Sequence, residues 1–236
     1  MRYILGISLV LLVAHACKRP FARLDSYAVH GIDVSHYQSR INWDTVAAQD
    51  LSFAFVKASE GYSLVDSLFC FNWEEMKRVK LKRGAYHFYR PTVPAKKQAE
   101  LFTNWVQLDY GDLPPVLDIE VLDGVSKIDL ISGVREWLFT VEIKYNIKPI
   151  IYTNLKFYNK YLAGHFDDYP VWIARYNIRE PRLACGRDWN FWQYGNTGRI
   201  PGIKGNVDFN VFNGTIVELE EMSLAPKAVL SQSEEY

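Results

Sequence analysis

Two acidic residues end an apolar segment, PPVLDIE, at residues 114–120. On a β-strand, residues i and i+2 point to the same face and lie about 6–7 Å apart along the chain. Asp118 and Glu120 are therefore expected to point into one site together, while Ile119 points away from it. Two close carboxyl groups cannot both ionise easily, so the pKa of one of them rises. A carboxyl group with a raised pKa can act as a general acid at neutral pH.

Polar or aromatic residues also end the other apolar, β-rich segments of the chain. In a barrel of parallel strands these carboxyl ends converge on one face, which is where such barrels carry out chemistry. Any one of these residues could be a loop cap or part of a structural ion pair, but carboxylates at three strand ends together favour an acidic active site. The strand-end residues are Asp33, Ser35, Lys57, Glu60, His87, Tyr89, Asp118, Glu120, Tyr152, Asn154, Arg175, Tyr176, Gln193, Tyr194, Asp208 and Asn210.

A metal site is a rival use of the paired carboxylates. Metal sites usually combine His ligands with the acids, or several oxygen ligands at close spacing. His36 and His87 are present but lack a ligand-like spacing. We therefore expect the carboxylates to act directly, with no metal and no cofactor.

The elements that must position these residues alternate between strand and helix. Candidate strands cover Val29–Ser35, Ser52–Ala58, Gly84–Tyr89, Pro115–Val121, Lys148–Thr153, Val171–Tyr176, Asn190–Tyr194 and Val207–Phe212. Candidate helices cover Trp43–Gln49, Ser67–Lys80, Lys96–Leu108, Ile128–Tyr145 and Leu155–Leu162. The alternation predicts parallel strands. Gly and Pro residues interrupt the chain after Val171, and no clear helix separates the last three strands.

The sequence thus predicts an α/β fold, an irregular TIM-like barrel of about eight strands with five helices. The first and last strands of a closed barrel are neighbours. Asp33 and Asp208 are therefore expected to face each other across the seam, with Asp118 approaching from the opposite side of the mouth.

The N-terminus has the pattern of an export signal. Arg2 precedes an apolar run over residues 4–13, and Ala14 and Ala16 form a small-x-small cleavage pattern. Cys17 follows, as in the lipobox of bacterial lipoproteins, although Ala14 stands where Leu is usual. We expect a signal peptide over 1–16 and a spacer over 17–28. Lipidation of Cys17 would anchor an exported protein to the membrane, whereas plain cleavage after Ala16 would leave it periplasmic or secreted.

The remaining chain is expected to hold one catalytic barrel over 29–217 and a polar tail over 218–236. The 236 residues are 49% hydrophobic and 15% aromatic, which argues against disorder. The formal net charge of zero gives no reason to expect binding to nucleic acid. The many Trp and Tyr rings could stack on sugars or fill the core. Cys70 and Cys185 could pair, but two separate buried thiols are the favoured interpretation.

Seven segments together resemble glycoside hydrolase family 25, the Chalaropsis-type lysozymes. They are GIDVSHYQ at 31–38, FVKASEG at 55–61, GAYHFY at 84–89, DIE at 118–120, WIARY at 172–176, FWQY at 191–194 and VDFN at 207–210. Each segment alone is weakly specific for this family, but the ordered set of seven segments is very specific. The resemblance implies a barrel of five β/α units followed by three strands, (β/α)5(β)3.

The resemblance also implies roles. Glu120 would be the general acid, Asp118 would assist at the anomeric carbon, and Asp33 and Asp208 would complete the catalytic group. Substrate contacts are expected from Tyr62, His87, Tyr89, Tyr152, Trp172, Tyr176, Gln193 and Asn210. The implied protein is a monomeric N-acetylmuramidase acting on peptidoglycan glycan strands. A glycosidase for another glycan and a non-catalytic peptidoglycan-binding module are the alternatives.

Overall fold

The computed structural model describes residues 23–226 of the chain. The strands are β1 (Val29–Val34), β2 (Phe53–Glu60), β3 (Leu64–Val65), β4 (Lys82–Phe88), β5 (Val116–Asp118), β6 (Ile150–Asn154), β7 (Val171–Ala174), β8 (Phe191–Gly198) and β9 (Val207–Phe212). The helices are α1 (Trp43–Ala47), α2 (Phe69–Arg78), α3 (Ala95–Trp105), α4 (Lys127–Tyr145), α5 (Leu155–Phe157) and α6 (Ile216–Met222). A 3-10 turn over His36–Gln38 follows β1, and a π-helical turn over Tyr158–Leu162 follows α5.

Eight strands close into a barrel. They are arranged in the order β1-β9-β8-β7-β6-β5-β4-β2, and β2 pairs with β1 to complete the ring. All neighbouring pairs are parallel except those of β9, which runs antiparallel to both β8 and β1. The short strand β3 extends β2 as a hairpin. The predicted irregular TIM-like barrel is therefore confirmed, with six helices in the described part of the chain instead of five.

The barrel interior is filled by aromatic rings below the site. Phe55 stacks on Trp172 with ring centroids 4.5 Å apart, and Phe191 packs edge-on against Phe55. Gly84 on β4 makes room for this layer, because a Cβ atom there would lie 2.4 Å from the Phe55 ring. Along the strands, the residues that alternate with these inward-facing aromatic residues, such as Val56, face outward and pack against the helices. This packing gives the strand ends a rigid base.

The chain on either side of the barrel differs from expectation. Residues of the expected spacer pack on the barrel: Tyr27 lies against its core and donates a hydrogen bond to Glu180. The expected polar tail begins as helix α6, whose Leu219 is fully buried. Of the four apolar residues in this seven-residue helix only Leu219 is fully buried, while Ile216 and Val217 are exposed, so the apolar residues do not mark one helix face. The expected signal peptide, Cys17 and residues 227–236 lie outside the described residues.

The two cysteines of the barrel are unpaired. Cys70 and Cys185 are both free thiols, so the expectation of separate thiols is confirmed. Both are exposed, so the expectation of burial is wrong: Cys70 lies on α2 beside Phe69, which takes the buried position. Within residues 23–226, no helix is long and apolar enough to cross a membrane.

Candidate active site

An acidic cavity of about 280 Å³ opens at the carboxyl ends of the parallel strands. All four acidic residues that the sequence singled out line it, from β1, from β5 and the residues after it, and from β9. The lining residues are Asp33, Val34, Ser35, Tyr37, Gln38, Lys57, Tyr86, Phe88, Asp118, Glu120, Tyr152, Trp172, Tyr176, Gln193 and Asp208. The strand ends thus converge as the barrel topology requires.

Asp33 and Asp208 form a carboxyl pair across the seam of the barrel. They are directly opposite each other in the β1–β9 ladder, and their side chains are hydrogen-bonded, which confirms the expected juxtaposition. Burial raises the pKa of Asp208, and the charge of Asp33 raises it further. Burial also raises the pKa of Asp33, but hydrogen bonds from Asn210 and Gln193 oppose the shift. The proton of the pair is therefore expected on Asp208, with Asp33 as the acceptor.

Two side-chain amides fix Asp33 in place. The amide nitrogens of Asn210 and Gln193 donate to the same Asp33 Oδ2, at 2.7 and 2.8 Å. The Trp172 indole N–H donates to Asn210 Oδ1 at 2.8 Å. An indole N–H can only donate, so the amide group of Asn210 must turn its NH2 toward Asp33.

Gln193 is oriented in the same way by two tyrosines. Its Oε1 accepts hydrogen bonds from the hydroxyls of Tyr152 at 2.9 Å and Tyr176 at 3.0 Å. Its amide nitrogen is thereby directed at Asp33. This network extends from the cavity wall to the acidic pair, and each acceptor in it has a matching donor.

Asp118 is buried and incompletely hydrogen-bonded. Its Oδ1 has no hydrogen-bond partner among residues 23–226. Burial raises the pKa of Asp118 well above its usual range, and the nearby Glu120 adds to this, whereas the positive charge of Lys57 opposes it. Among the described residues, Asn72 Nδ2, Trp137 Nε1 and Thr153 Oγ1 are also buried without a partner, but only Asp118 of these four residues lines the cavity, where a bound group can reach it. The expected outward direction of Ile119 is confirmed, since it packs in the core between barrel and helices.

Glu120 lies just beyond the end of β5 at the cavity wall. Burial raises the pKa of its carboxyl group. A raised pKa favours the protonated form that a general acid requires.

Among residues 23–226, no three His, Cys, Asp or Glu residues are grouped to hold a metal ion.

Two predicted substrate contacts do not face the cavity. His87 is fully buried, and burial lowers its pKa to about 4. The Nε2–H of its neutral ring donates to Gln98 Oε1 at 3.1 Å, and its Nδ1 accepts from the Ser59 hydroxyl at 2.8 Å. Tyr89 is buried among the helices. Residues of β4 alternate between its faces, so Tyr86 and Phe88 occupy the cavity instead. The structure thus corrects the placement of His87 and Tyr89.

The other predicted contacts divide into two groups. Tyr152, Trp172, Tyr176 and Gln193 line the cavity. Asn210 is buried beneath it and acts through Asp33. Tyr62 is 58% exposed and lies outside the cavity lining.

Sequence reasoning missed residues of the cavity rim. Tyr37 and Gln38 lie in the 3-10 turn after β1, where Ser35 and Gln38 form a capping box. A Ser followed three residues later by Gln is a recognisable signal for such a turn. Tyr86 and Phe88 share a strand face with Gly84, so strict two-residue alternation from Gly84 identifies them.

The acidic pair predicts a specific dependence of stability on pH. The folded state holds on Asp208 a proton that the unfolded chain releases above about pH 4. The free energy of unfolding should therefore fall as the pH rises from about 4 toward 8. Asp208→Asn has no such proton, so over this pH range its free energy of unfolding should fall by about 1–2 kcal/mol less than that of the wild type. Urea unfolding across this pH range measures the free energy of unfolding of each protein. Asp188→Asn, at an exposed aspartate, is the control, and equal slopes for all three proteins would contradict the shared proton.

Comparison with known proteins agrees with this arrangement. The profile described as Glycosyl hydrolases family 25 matches residues 32–203. The uncharacterized protein YegX of Escherichia coli (strain K12) is 47% identical over 200 residues, which cover 83% of this chain and 73% of that protein. Lysozyme M1 of Streptomyces globisporus is 34% identical over 221 residues, covering 86% and 74%.

A solved structure gives the same result for the fold. The family 25 glycosyl hydrolase from Bacillus anthracis superposes with a TM-score of 0.81 at 31% identity, covering 86% of this chain and 97% of that one. The family profile covers Asp33, Asp118 and Glu120, whereas β9 with Asp208 follows the matched residues. The chain belongs to glycosyl hydrolase family 25.

Proposed function

We propose that the protein is an N-acetylmuramidase that hydrolyses the β-1,4 bond between N-acetylmuramic acid and N-acetylglucosamine in peptidoglycan. The observation that carries this proposal is the buried, unpartnered oxygen of Asp118 beside Glu120 in the cavity. An N-acetyl sugar offers an amide N–H that would satisfy that oxygen. The similarity to lysozyme M1 supports the same class of substrate.

The residues suit a substrate-assisted reaction. Glu120 donates its proton to the glycosidic oxygen as the bond to the anomeric carbon breaks. The acetamido oxygen of the substrate attacks that carbon and forms an oxazolinium ion, while Asp118 accepts a hydrogen bond from the acetamido N–H. Water then attacks the same carbon and breaks its bond to the acetamido oxygen, which restores the acetamido group, while the Glu120 carboxylate takes a proton from that water. Two displacements give net retention.

Asp33 and Asp208 would support this chemistry from the seam. Their shared proton limits the negative charge beside Asp118, and the amide network holds Asp33 in one position. The half-exposed ring of Tyr176 at the wall is suited to stacking on a sugar. The proposal includes export to the cell envelope, a monomeric state, and membrane anchoring only through a lipid on Cys17.

A different N-acetyl glycan is the second candidate substrate, since the cavity recognises an acetamido group that chitin also carries. The test is turnover on purified peptidoglycan and on chitin, with borohydride reduction of the new ends. We expect release from peptidoglycan, with reduced muramic acid at the new ends. Reduced glucosamine as the sole new end, or turnover on chitin alone, would overturn the proposal.

A further inference from the structure

Lys57 is the only Lys, Arg or His residue that lines the acidic cavity in the part of the chain that the structure describes. It shares the cavity with the carboxyl groups of Asp33, Asp118, Glu120 and Asp208. The Lys57 side chain is only 11% exposed, so solvent and salt screen its charge weakly. A single ammonium group in such a place acts strongly on the carboxyl group that it faces.

The ammonium group of Lys57 lies at the level of Asp118. Glu60, Phe88 and Asp118 form one row across three strands, because Phe88 of β4 lies opposite Glu60 of β2 and opposite Asp118 of β5. Lys57 is three residues before Glu60, but its side chain extends along β2 to this row. Its Nζ is 2.6 Å from Glu60 Oε2 and 5.2 Å from the centre of the Phe88 ring. It therefore lies over the residue that separates Glu60 from Asp118.

The ion pair with Glu60 does not by itself account for Lys57. Arg90 already binds the other oxygen of Glu60 through two donors, at 2.6 and 2.9 Å. Glu60 is the one hydrogen-bond partner of the Lys57 ammonium group among residues 23–226, although an ammonium group has three N–H donors. The remaining donors and the charge are thus available to the cavity, where Asp118 has its unpartnered oxygen.

The proposed reaction requires Asp118 to carry its negative charge. An oxazolinium ion is positive, and an ionised carboxyl group beside it stabilises that charge, whereas a protonated one does not. Burial raises the pKa of Asp118 most, and the charges of Glu120, Asp33 and Glu60 raise it further. Lys57 alone among these groups lowers it.

The other titratable groups around Asp118 come from the neighbouring strands, and within residues 23–226 none of them is positive apart from Lys57. Burial raises the pKa of each tyrosine in this set, which keeps the tyrosines neutral. The set is Asp33 of β1 with its partner Asp208 of β9, Lys57 and Glu60 of β2, Tyr86 of β4, Glu120 after β5, Tyr152 of β6 and Tyr176 after β7.

From this placement we propose that Lys57 is a positioning residue that keeps Asp118 ionised, so that Asp118 accepts the acetamido N–H of a bound sugar and stabilises the positive charge that forms there. This role rests on the proposed substrate-assisted reaction. Glu60 holds the ammonium group in the row of Asp118, and Arg90 holds Glu60.

Carbon NMR titration of the Asp118 carboxyl group tests this role without turnover. It is carried out in a Glu120→Gln background, so that the titration of Glu120 does not overlap, and the signal that Asp118→Asn removes identifies the resonance. Lys57→Met should move the midpoint of Asp118 up by about one pH unit, the effect of losing a nearby opposite charge. Lys57→Arg keeps the charge and should restore a midpoint near that of the parent.

The fold should tolerate Lys57→Met, because Met keeps an apolar stem over Phe88 and Arg90 still binds Glu60. Lys160→Met is the matched control, since Lys160 is exposed and lies outside the cavity lining. It removes the same charge and should leave the midpoint of Asp118 unchanged. A Lys57→Met protein that is less stable but has an unchanged midpoint would make Lys57 a structural residue only and would overturn the proposal.

Glu60→Gln gives a shift of the opposite sign. It removes a negative charge near Asp118 and releases Lys57 from its ion pair, so the midpoint of Asp118 should move down. The double variant Lys57→Met/Glu60→Gln removes the whole ion pair and leaves no unpaired charge of that pair. Its midpoint should lie about one pH unit above that of Glu60→Gln. This comparison decides the role of Lys57 even where Lys57→Met alone does not fold, and equal midpoints would overturn the proposal.

Activity on peptidoglycan separates this role from the proposed function. With Glu120 intact and at a pH below the wild-type midpoint of Asp118, Lys57→Met should lower kcat/KM about tenfold, the same factor as the ionised fraction of Asp118. Lys57→Arg should recover most of this loss. If the wild type does not hydrolyse peptidoglycan, the proposed function fails, and the titrations still decide whether Lys57 controls the charge of Asp118. If it does hydrolyse peptidoglycan but the midpoints do not move, only the role of Lys57 fails.

Discussion

Glu120→Gln is expected to lower kcat on peptidoglycan by about 10²–10⁴-fold, the range for removal of a general acid. Gln has the shape of a protonated Glu but cannot transfer a proton to the leaving oxygen. Glu120 forms no ion pair in the part of the chain that the structure describes, so the fold should not depend on its charge. Release of reducing ends measures the loss, and thermal melting followed by circular dichroism checks the fold.

A matched control is Glu100→Gln, at an exposed position of α3. It should retain full activity. The pH profile adds a second readout, because the raised pKa of Glu120 keeps its proton toward neutral pH and activity should fall as the pH rises above that pKa. Residual activity of Glu120→Gln should lack this alkaline limb. Wild-type turnover in a Glu120→Gln protein that melts normally would remove Glu120 from the mechanism.

The placement of the four acidic residues followed from patterns that the sequence displays. Barrel closure brings β1 beside the last strand, and the expected pairing of Asp33 with Asp208 is confirmed. Asp33 lies near the end of β1 and Asp208 at the start of β9, so they meet only because β9 runs antiparallel to β1. Two-residue alternation placed Asp118 on the inner face of β5 and Ile119 on the outer one. The argument for Asp118 and Ile119 needs only the pleat of a strand, whereas the pairing of Asp33 with Asp208 also needs the reversed direction of β9, which a prediction of parallel strands does not give.

On β4 the same alternation places Tyr86 and Phe88 in the cavity and His87 on the opposite face, although the polar side chain of His87 suggests a site. The polar ring of His87 can be buried behind the barrel wall because Ser59 and Gln98 form hydrogen bonds to both of its nitrogens. Ser59 reaches that side because the register of β2 shifts between Lys57 and Ser59. A shift of this kind reverses the direction of later side chains and has no clear signal in the sequence.

The network around Asp33 was also beyond sequence reasoning. Gln193 and Asn210 were expected to contact substrate, yet the structure directs both amides to Asp33 through donors on other strands. These bonds join residues 160 and 177 positions apart in the chain. Whether such an amide binds a sugar or a carboxylate depends on the rotamer of the Asn or Gln side chain, and local sequence does not determine that rotamer.

The second large effect concerns Asp118 and the stereochemistry. Asp118→Asn is expected to lower kcat by about 10–10²-fold, less than Glu120→Gln, because it removes one charge-assisted hydrogen bond to the acetamido group while the substrate still supplies the nucleophile. In the free protein, burial and Glu120 favour the protonated form of Asp118. A bound acetamido N–H would donate to the carboxylate and stabilise its charge.

Proton NMR of the first reducing sugar decides the route. The bond that is cut has the β-configuration, so an initial β-anomer supports two displacements and retention, and an initial α-anomer would show inversion by a directly attacking water. Inversion would require a carboxylate that activates this water, and the substrate-assisted role of Asp118 would then be wrong. Retention with equal losses in Asp118→Asn and Glu120→Gln would instead make Asp118 the nucleophile, with a sugar–enzyme ester as the intermediate. Retention with the smaller loss at Asp118 is the outcome that the unpartnered Oδ1 predicts, since that atom is placed to accept a hydrogen bond from a bound amide.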